Sequence, residues 1–268
     1  MKIKVWLKFS LLPIFLVFIC SQLASTADFP EFGEFKDIEP KDAKYYYGSD
    51  AGVFKFMLEQ FTIDDSLMDQ VKFYYNSCDD EGIKAYIIFF MPKALEKGAK
   101  PEKVLDLVTQ GLFEGVYNRR SDNPLNDANC WRVRYIAAEA MAKIADKVEN
   151  KKKVCDSLIA SMLFDTEERV RGASALSLSV AVKNIANEGD YCKYYYINKM
   201  NDRLAHTPFS DQFFLCCLVR AIGELKDKSS FWYLMEERRK AHTDIVQKQI
   251  FIAMKNIAAG GGTDSAGK

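Results

Sequence analysis

Histidine is scarce in this 268-residue chain, which contains only His206 and His242. Metal sites and acid–base catalysts need several convergent side chains, and both histidines follow predicted helices, where we expect them to be exposed. No Cys-x-x-Cys pair occurs, and the adjacent Cys216 and Cys217 point about 100° apart on a helix, so they cannot clamp one ion. The sequence therefore predicts no metal site and no cofactor.

Catalytic motifs are missing as well. The chain has no G-x-S-x-G sequence, no phosphate-binding glycine loop and no dinucleotide fingerprint, and its glycine run 260–262 follows no predicted strand. The acid pairs Asp64-Asp65 and Glu167-Glu168 fall in predicted turns, where they complement the dipole of the helix that follows. These absences predict that the protein is not an enzyme.

No concentrated block of positive charge is present. The basic runs 151–153 and 238–240 are short and lie next to glutamates, and the chain has 37 basic and 37 acidic residues. Nucleic-acid binding needs a concentrated positive face. We therefore predict a partner other than nucleic acid.

The N-terminus carries the pattern of a secretory signal. Three lysines precede an apolar run from Phe9 to Leu23, which is shorter than the roughly 20 residues that span a bilayer, and small residues at Ser25 and Ala27 suit cleavage. We predict a signal peptide at 1–27 and export to the periplasm or cell envelope, which leaves 34 basic and 37 acidic residues. Two alternatives place the protein at the membrane: lipid attachment at Cys20, or retention of the N-terminal helix.

The remaining cysteines are scattered. Six would survive cleavage, an even number that permits disulfides in an exported chain: Cys78, Cys130, Cys155, Cys192, Cys216 and Cys217. Most lie within apolar helical patterns, where cysteine behaves as a small buried hydrophobe. We expect mainly reduced core thiols, with one bridge left open.

Beyond the leader, the composition defines three regions. Residues 28–48 mix phenylalanine with acids, glycine and proline, and we expect an irregular strap. From 49 to 258 apolar residues recur at helical spacing, and Pro101 is placed as the first residue of a helix. Residues 259–268 have almost nothing to bury, which predicts a flexible tail.

The helical region repeats itself. Residues 131–144 align with 168–181 at a shift of 37, and continuing the register places four apolar residues in equivalent positions, at spacings of 37, 44 and 32: Met141, Leu178, Ile222 and Met254. An amphipathic helix precedes each later copy, at 153–164, 192–204 and 231–240. Helix pairs that recur every 30 to 45 residues or so are typical of an α-solenoid. We therefore predict an all-α fold, a solenoid of stacked antiparallel helix pairs.

Two copies share a further motif, an acid followed by a Val-Arg pair: Asp127, Val133 and Arg134, then Asp165, Val170 and Arg171. On these residues the chain resembles the HEAT-repeat family. The resemblance implies a structural ladder in which acid and arginine stack from copy to copy, formed by Asp127, Arg134, Asp165 and Arg171. Because Leu215 and Gln247 replace the arginine in the last two copies, the ladder is expected to stop after two rungs.

The register also predicts an outward strip along the second helices: Tyr135, Glu139 and Lys143, then Gly172, Leu176 and Val180, then Cys216, Arg220 and Glu224, then Lys248, Ile252 and Asn256. Its mixture of apolar and charged groups is typical of a transient protein interface, although an ordinary solvated face is the alternative.

We predict a non-enzymatic scaffold that binds a protein partner along this strip, because each copy of a solenoid adds surface without adding a pocket. Two other functions remain open. One is a HEAT-like lyase or DNA-base glycosylase, against which the neutral charge and the absent acid–base set argue. The other is a lipid-tethered or helix-tethered structural component of an envelope assembly.

Overall fold

The computed structural model describes residues 62–77, 81–115, 130–185 and 190–260, all within one compact unit, Thr62–Lys268. The predicted signal peptide, the strap, Asp127 and most of the predicted tail lie outside these ranges. Within them the regular structure is entirely helical and no strand occurs, so the all-α prediction is confirmed.

The described ranges contain ten helices. Their bounds are α1 Asp65–Ser77, α2 Glu81–Glu96, α3 Pro101–Leu112, α4 Trp131–Ile144, α5 Lys151–Phe164, α6 Glu168–Asn184, α7 Asp190–Ala205, α8 Gln212–Leu225, α9 Ser230–Arg238 and α10 Asp244–Gly260.

Local sequence explains several of these ends. Pro101 is the first residue of α3, as predicted. Proline is tolerated there because a backbone N–H at the first position of a helix has no partner within the helix, so its absence costs nothing. Asn150 caps α5 by accepting a hydrogen bond from the Lys153 backbone N–H at 2.9 Å. Lys226 ends α8 in the left-handed conformation, with φ of 55°.

The helices pack in two series. Each even-numbered helix contacts the next one, from α2 through α4, α6 and α8 to α10, and these five helices are called the even row. The odd-numbered helices α1, α3, α5, α7 and α9 contact one another in the same order and are called the odd row. Chain neighbours such as α5 and α6, or α9 and α10, join the two rows.

Equivalent positions are buried along the even row. At the shifts of 37, 44 and 32, four positions match between α4, α6, α8 and α10: Val133, Ala137, Ala140 and Ile144; Val170, Ser174, Ser177 and Ala181; Phe214, Leu218, Ala221 and Leu225; Val246, Ile250, Ala253 and Ile257. In α2 the residues Ile83, Ile87, Phe90 and Ala94 are buried in the same pattern. The even row therefore continues the sequence register into α2, which matches the motif only loosely.

The equivalence of Met254 with the three earlier apolar residues is only partial. Met141, Leu178 and Ile222 are buried, whereas Met254 is half-buried. Helix α10 packs against α8 and α9, and no other described helix contacts it extensively. The side chains of α10 are consequently covered less completely than those of the inner helices.

Glycines bring the even row into close contact. A Cβ built on Gly223 of α8 would lie 2.7 Å from both Cα and Cβ of Ala253 on α10. A Cβ on Gly172 of α6 would lie 2.9 Å from Cε1 of Phe213 and 3.0 Å from Sγ of Cys217 on α8. These distances are shorter than normal carbon contacts, so the helices can approach this closely only where a side chain is absent.

Candidate functional site

The predicted partner-binding residues all lie on the even row, with varied exposure. Tyr135, Glu139, Leu176 and Glu224 are half-buried, and Lys143, Arg220, Lys248 and Ile252 are exposed. Between them lie Cys216 and Asn256, both half-buried, and the exposed Val180. Together, without Gly172, these residues are called the strip.

Side chains of the strip reach from one helix to the next. Lys143 Nζ lies 5.7 Å from the ring centroid of Phe89 on α2, a cation–π contact. Glu224 accepts a hydrogen bond from Arg220 Nε at 3.0 Å, and its other oxygen lies 3.9 Å from Lys183 Nζ on α6. Side chains of the strip therefore link α4 to α2 and α8 to α6.

Helix α2 adds Phe89 to this surface. Because the burial pattern of α2 matches that of α4 at a shift of 50, Phe89 occupies on α2 the position of Glu139 on α4. Sequence reasoning missed Phe89, since α2 has Ile83-Lys84 where the motif has Val-Arg. The Lys143 contact with its ring is the signal that identifies it.

Gly172 does not belong to the strip, contrary to the prediction. It is buried, and its Cα faces Phe213 and Cys217 of α8. The register placed it outward by analogy with Tyr135, but α6 contacts α8 at this point. The outward surface is consequently interrupted in the first turn of α6.

The first rung of the ladder is a buried ion pair. Arg134 Nε donates to Asp165 Oδ2 at 2.8 Å and Nη2 donates to Oδ1 at 3.1 Å, and both side chains are almost fully buried. Arg134 Nη1 also donates to the backbone oxygen of Glu114 at 3.1 Å. A two-point pairing of this kind fixes the position of α4 relative to the turn between α5 and α6.

The second rung uses an acid that the sequence did not indicate. Arg171 Nη2 donates to Asp211 Oδ2 at 2.8 Å, and Nη1 donates to the backbone oxygen of Asp165 at 2.9 Å. Each arginine is thus bound to the acid before the next even-row helix. Asp211 was missed because the loop before α8 differs in length and Leu215 replaces the arginine there.

Two glutamates stabilise the starts of neighbouring helices. Glu81 at the start of α2 accepts from the Arg132 backbone N–H of α4 at 3.0 Å, and Glu168 at the start of α6 accepts from the Phe214 N–H of α8 at 2.9 Å. The first turn of a helix has unsatisfied N–H donors. These carboxylates therefore cap the next helix of the even row rather than their own.

A polar cluster lies where α1, α2 and α3 meet. Tyr75 Oη donates to Glu114 Oε2 at 2.9 Å, and Lys84 Nζ lies 2.7 Å from Oε1 of the same carboxylate. Burial, followed by the charge of Glu114, raises the pKa of Tyr75, and burial raises the pKa of the nearby Cys130 thiol. A thiol that stays protonated is a poor nucleophile, and the polar groups of the cluster are paired with one another.

His242 is buried, contrary to the prediction of an exposed side chain. Its Nε2 lies 2.7 Å from Glu237 Oε1, both side chains are 2% exposed, and the Phe209 ring stacks on the imidazole at a centroid distance of 5.6 Å. His242 lies in the turn between α9 and α10, and Phe209 comes from the turn between α7 and α8, a meeting of two turns that local sequence does not predict. His206 is exposed, as expected.

Ligand and membrane features were sought in the same ranges. No group of three histidine, cysteine or acidic side chains converges there as metal ligands. None of the helices described combines the length and the hydropathy that crossing a bilayer requires. No disulfide joins the five cysteines at 130, 155, 192, 216 and 217.

The chain was also compared with known proteins. No family model, no curated protein and no solved structure matches it.

Proposed function

We propose that the protein is a non-enzymatic, exported scaffold, an α-solenoid of HEAT-like helix pairs that binds another protein along the strip. The observation that carries this proposal is the alignment of the even row. Phe89, Glu139, Leu176, Arg220 and Ile252 occupy equivalent positions on five successive helices and are all at least partly exposed.

The pattern of contacts supports a solenoid. Each even-row helix packs against the next, and the same four positions are buried in every one. Such an array stacks units that cannot bury their own apolar faces alone. The ladder arginines Arg134 and Arg171 add polar links in the same direction along the row.

The chemistry of the strip supports a protein partner. Val180 and Ile252 are each 38% exposed, and on α8, which packs against both of their helices, the equivalent positions hold the charged residues Glu224 and Arg220. Apolar contacts surrounded by charges are typical of transient interfaces, in which the apolar groups provide affinity and the charges provide specificity. Three of the five equivalent positions along the even row are apolar, at Phe89, Leu176 and Ile252, and these are the side chains that a partner would bury.

Arg220→Glu tests the proposal. Arg220 is exposed, and within the described ranges its ion pair is with Glu224 on its own helix, so the change reverses a charge on the strip with little effect on stability. The full chain is used to capture partners from the envelope fraction of the native cells, with quantitative mass spectrometry. We expect recovery of the main partner to fall at least tenfold with an unchanged melting temperature.

Arg239→Glu is the matched control. Arg239 is exposed after α9 and pairs with Glu236 at 2.5 Å, so it offers the same charge reversal away from the strip. Wild type and R239E should capture equal amounts. Equal capture by R220E would exclude the strip as the binding surface.

The mass of the native protein tests export. Purified from its source cells, a chain that starts at Asp28 would support cleavage and release, and a lipid on Cys20 would indicate a tether. A chain that retains Met1 and is recovered with cytoplasmic proteins would contradict export.

A further inference from the structure

The last turn of α7 carries an arginine whose charge is not compensated. Arg203 Nε is buried without a hydrogen-bond partner, and no described carboxylate lies within ion-pair distance of its guanidinium. Arg203 as a whole is half-buried, and an arginine that is partly withdrawn from solvent is normally paired with an acid, because desolvating its charge is costly. Arg203 therefore differs from Arg134 and Arg171, each of which binds an aspartate of the chain.

A second arginine lies close to it. The guanidinium carbons of Arg171 and Arg203 lie 5.3 and 5.4 Å from the centroid of the same ring, that of the fully buried Phe214. Cation–π contacts with one ring hold both side chains in fixed positions. Arg171 Nε is likewise buried without a partner among the described residues.

The acids nearby are already engaged. Asp211 Oδ2 binds Arg171 Nη2 at 2.8 Å, and Glu168 Oε1 accepts from the Phe214 backbone N–H at 2.9 Å. Burial, and then the charge of Arg171, lowers the pKa of Arg203, while Asp211 acts in the opposite direction.

We propose that Arg203, together with Arg171, forms a binding site for an oxyanion, a carboxylate or a phosphate. A guanidinium presents parallel N–H donors that match two oxygens of such a group. Phe214 fixes the guanidinium in advance, so little side-chain freedom is lost on binding. The site is formed by α6, α7 and the start of α8, and it does not depend on the strip.

The oxyanion can come from two sources, a small free anion or an acidic side chain of a peptide. Both have the same chemistry, so two probes are needed. Inorganic phosphate represents the first source, and a short peptide rich in glutamate represents the second. Each is titrated into the full-length chain at constant ionic strength, adjusted with sodium chloride.

The measurement is the arginine Nε–Hε region of a ¹H–¹⁵N NMR spectrum. We expect a saturable shift of the Arg203 and Arg171 signals with at least one probe, and competition between the probes where both bind. Arg203→Gln should weaken binding at least tenfold. Arg169→Gln is the matched control, because Arg169 lies next to the same region but stacks on Trp131 at 5.1 Å, and it should bind as wild type does.

Stability provides an independent readout. Without an anion, R203Q should melt at or above the wild-type temperature, because it removes an uncompensated charge, whereas R171Q should melt lower, because it leaves Asp211 without its partner. The proposal would be overturned if neither probe shifts the Arg203 signal, or if R203Q binds a probe as tightly as wild type does. A markedly lower melting temperature for R203Q would also overturn it, since Arg203 would then be a structural residue.

Discussion

The carboxylate of Asp165 is the most heavily used polar group of the ladder. It accepts two hydrogen bonds from Arg134 and a third from the Glu167 backbone N–H at 2.9 Å, while its backbone oxygen binds Arg171. A buried pair of this kind adds little net stability compared with apolar residues of the same shape. Losing one member is different, because the other charge then remains buried and unpaired.

Arg134→Ala should therefore lower the free energy of unfolding by about 3–5 kcal/mol. Urea denaturation monitored by circular dichroism measures this loss. Arg220→Ala, which removes an exposed pair within one helix, should cost no more than about 0.5 kcal/mol. A loss below about 1 kcal/mol for R134A would show that the rung is not closely coupled to folding.

Cys217 gives the protein a dependence on alkaline pH. Burial raises the pKa of this thiol above its ordinary value of 9.0, so above pH 9 the unfolded chain releases the proton while the folded chain retains it. The contribution of this thiol to the free energy of unfolding is fully present below pH 9. It falls as the pH rises further, by up to about 1.4 kcal/mol per pH unit. Tyr75 and Tyr196, whose pKa values are also raised by burial, extend the fall above pH 10.

Cys217→Ala should remove the share of this fall that comes from its own thiol, whereas Cys130 and Cys216, whose pKa values burial also raises, keep theirs. Urea denaturation under reducing conditions at pH 7.5, 8.5 and 9.5 compares the variant with wild type. At pH 7.5 the variant should be less stable than wild type, because the smaller side chain leaves a small cavity. We expect the difference in the free energy of unfolding between the two proteins to become smaller as the pH rises. A difference that stays constant over this range would contradict the assignment.

Sequence reasoning was most successful where the signal is local. The helices expected at 153–164, 192–204 and 231–240 are observed as α5, α7 and α9, with ends that differ by two residues at most, because apolar spacing and capping residues act within a few turns. It was least successful where two turns meet. The burial of His242 depends on Phe209 from another turn, and the role of Asp211 depends on loop length.

At the scale of helices, close packing depends on which atoms face each glycine. Gly223 faces the backbone of Ala253, whereas Gly172 faces the ends of the Phe213 and Cys217 side chains. Side chains can rotate away from an added methyl group, but a helix backbone must move as a whole. The packing contact, or joint, between α8 and α10 therefore tolerates an added methyl group less well than the joint between α6 and α8 does.

Gly223→Ala should lower stability more than Gly172→Ala does. Alanine favours the helix by about 1 kcal/mol at either position, but overpacking costs about 1–3 kcal/mol where the neighbour cannot yield. Thermal unfolding of both variants checks the order. G223A should melt below wild type, with G172A between the two or close to wild type; the reverse order would show that the joint between α8 and α10 can adjust.

At the scale of the molecule, α10 differs from the other helices of the even row. Where α6 and α8 have the small residues Gly172 and Cys216, α10 has Lys248, and where they have Ser179 and Gly223, it has Lys255. Both lysines are exposed. Their charges oppose the burial of this face of α10 against an apolar surface.

Replacing these lysines should make the protein associate. In the double variant Lys248→Leu and Lys255→Ala, the new apolar surface adjoins Ile245, Phe251 and Ile252, which are already exposed. Size-exclusion chromatography with light scattering should detect oligomers that wild type lacks at the same concentration. The double variant Lys199→Leu and Lys228→Ala, with the same changes elsewhere, should elute as wild type does.

Both arginine links run in the same direction along the even row, from one helix to the acid before the next helix. The pairing therefore repeats from one unit of the chain to the next. Arg134 binds the acid before α6, and Arg171 binds the acid before α8. Excision of residues 135–171 would join Arg134 to the remainder of α6, at the place where Arg171 now meets Asp211. Gain or loss of one whole unit by duplication or deletion would thus preserve the buried pairing, whereas a deletion that removes only the arginine or only the acid of a pair would leave a buried charge without its partner.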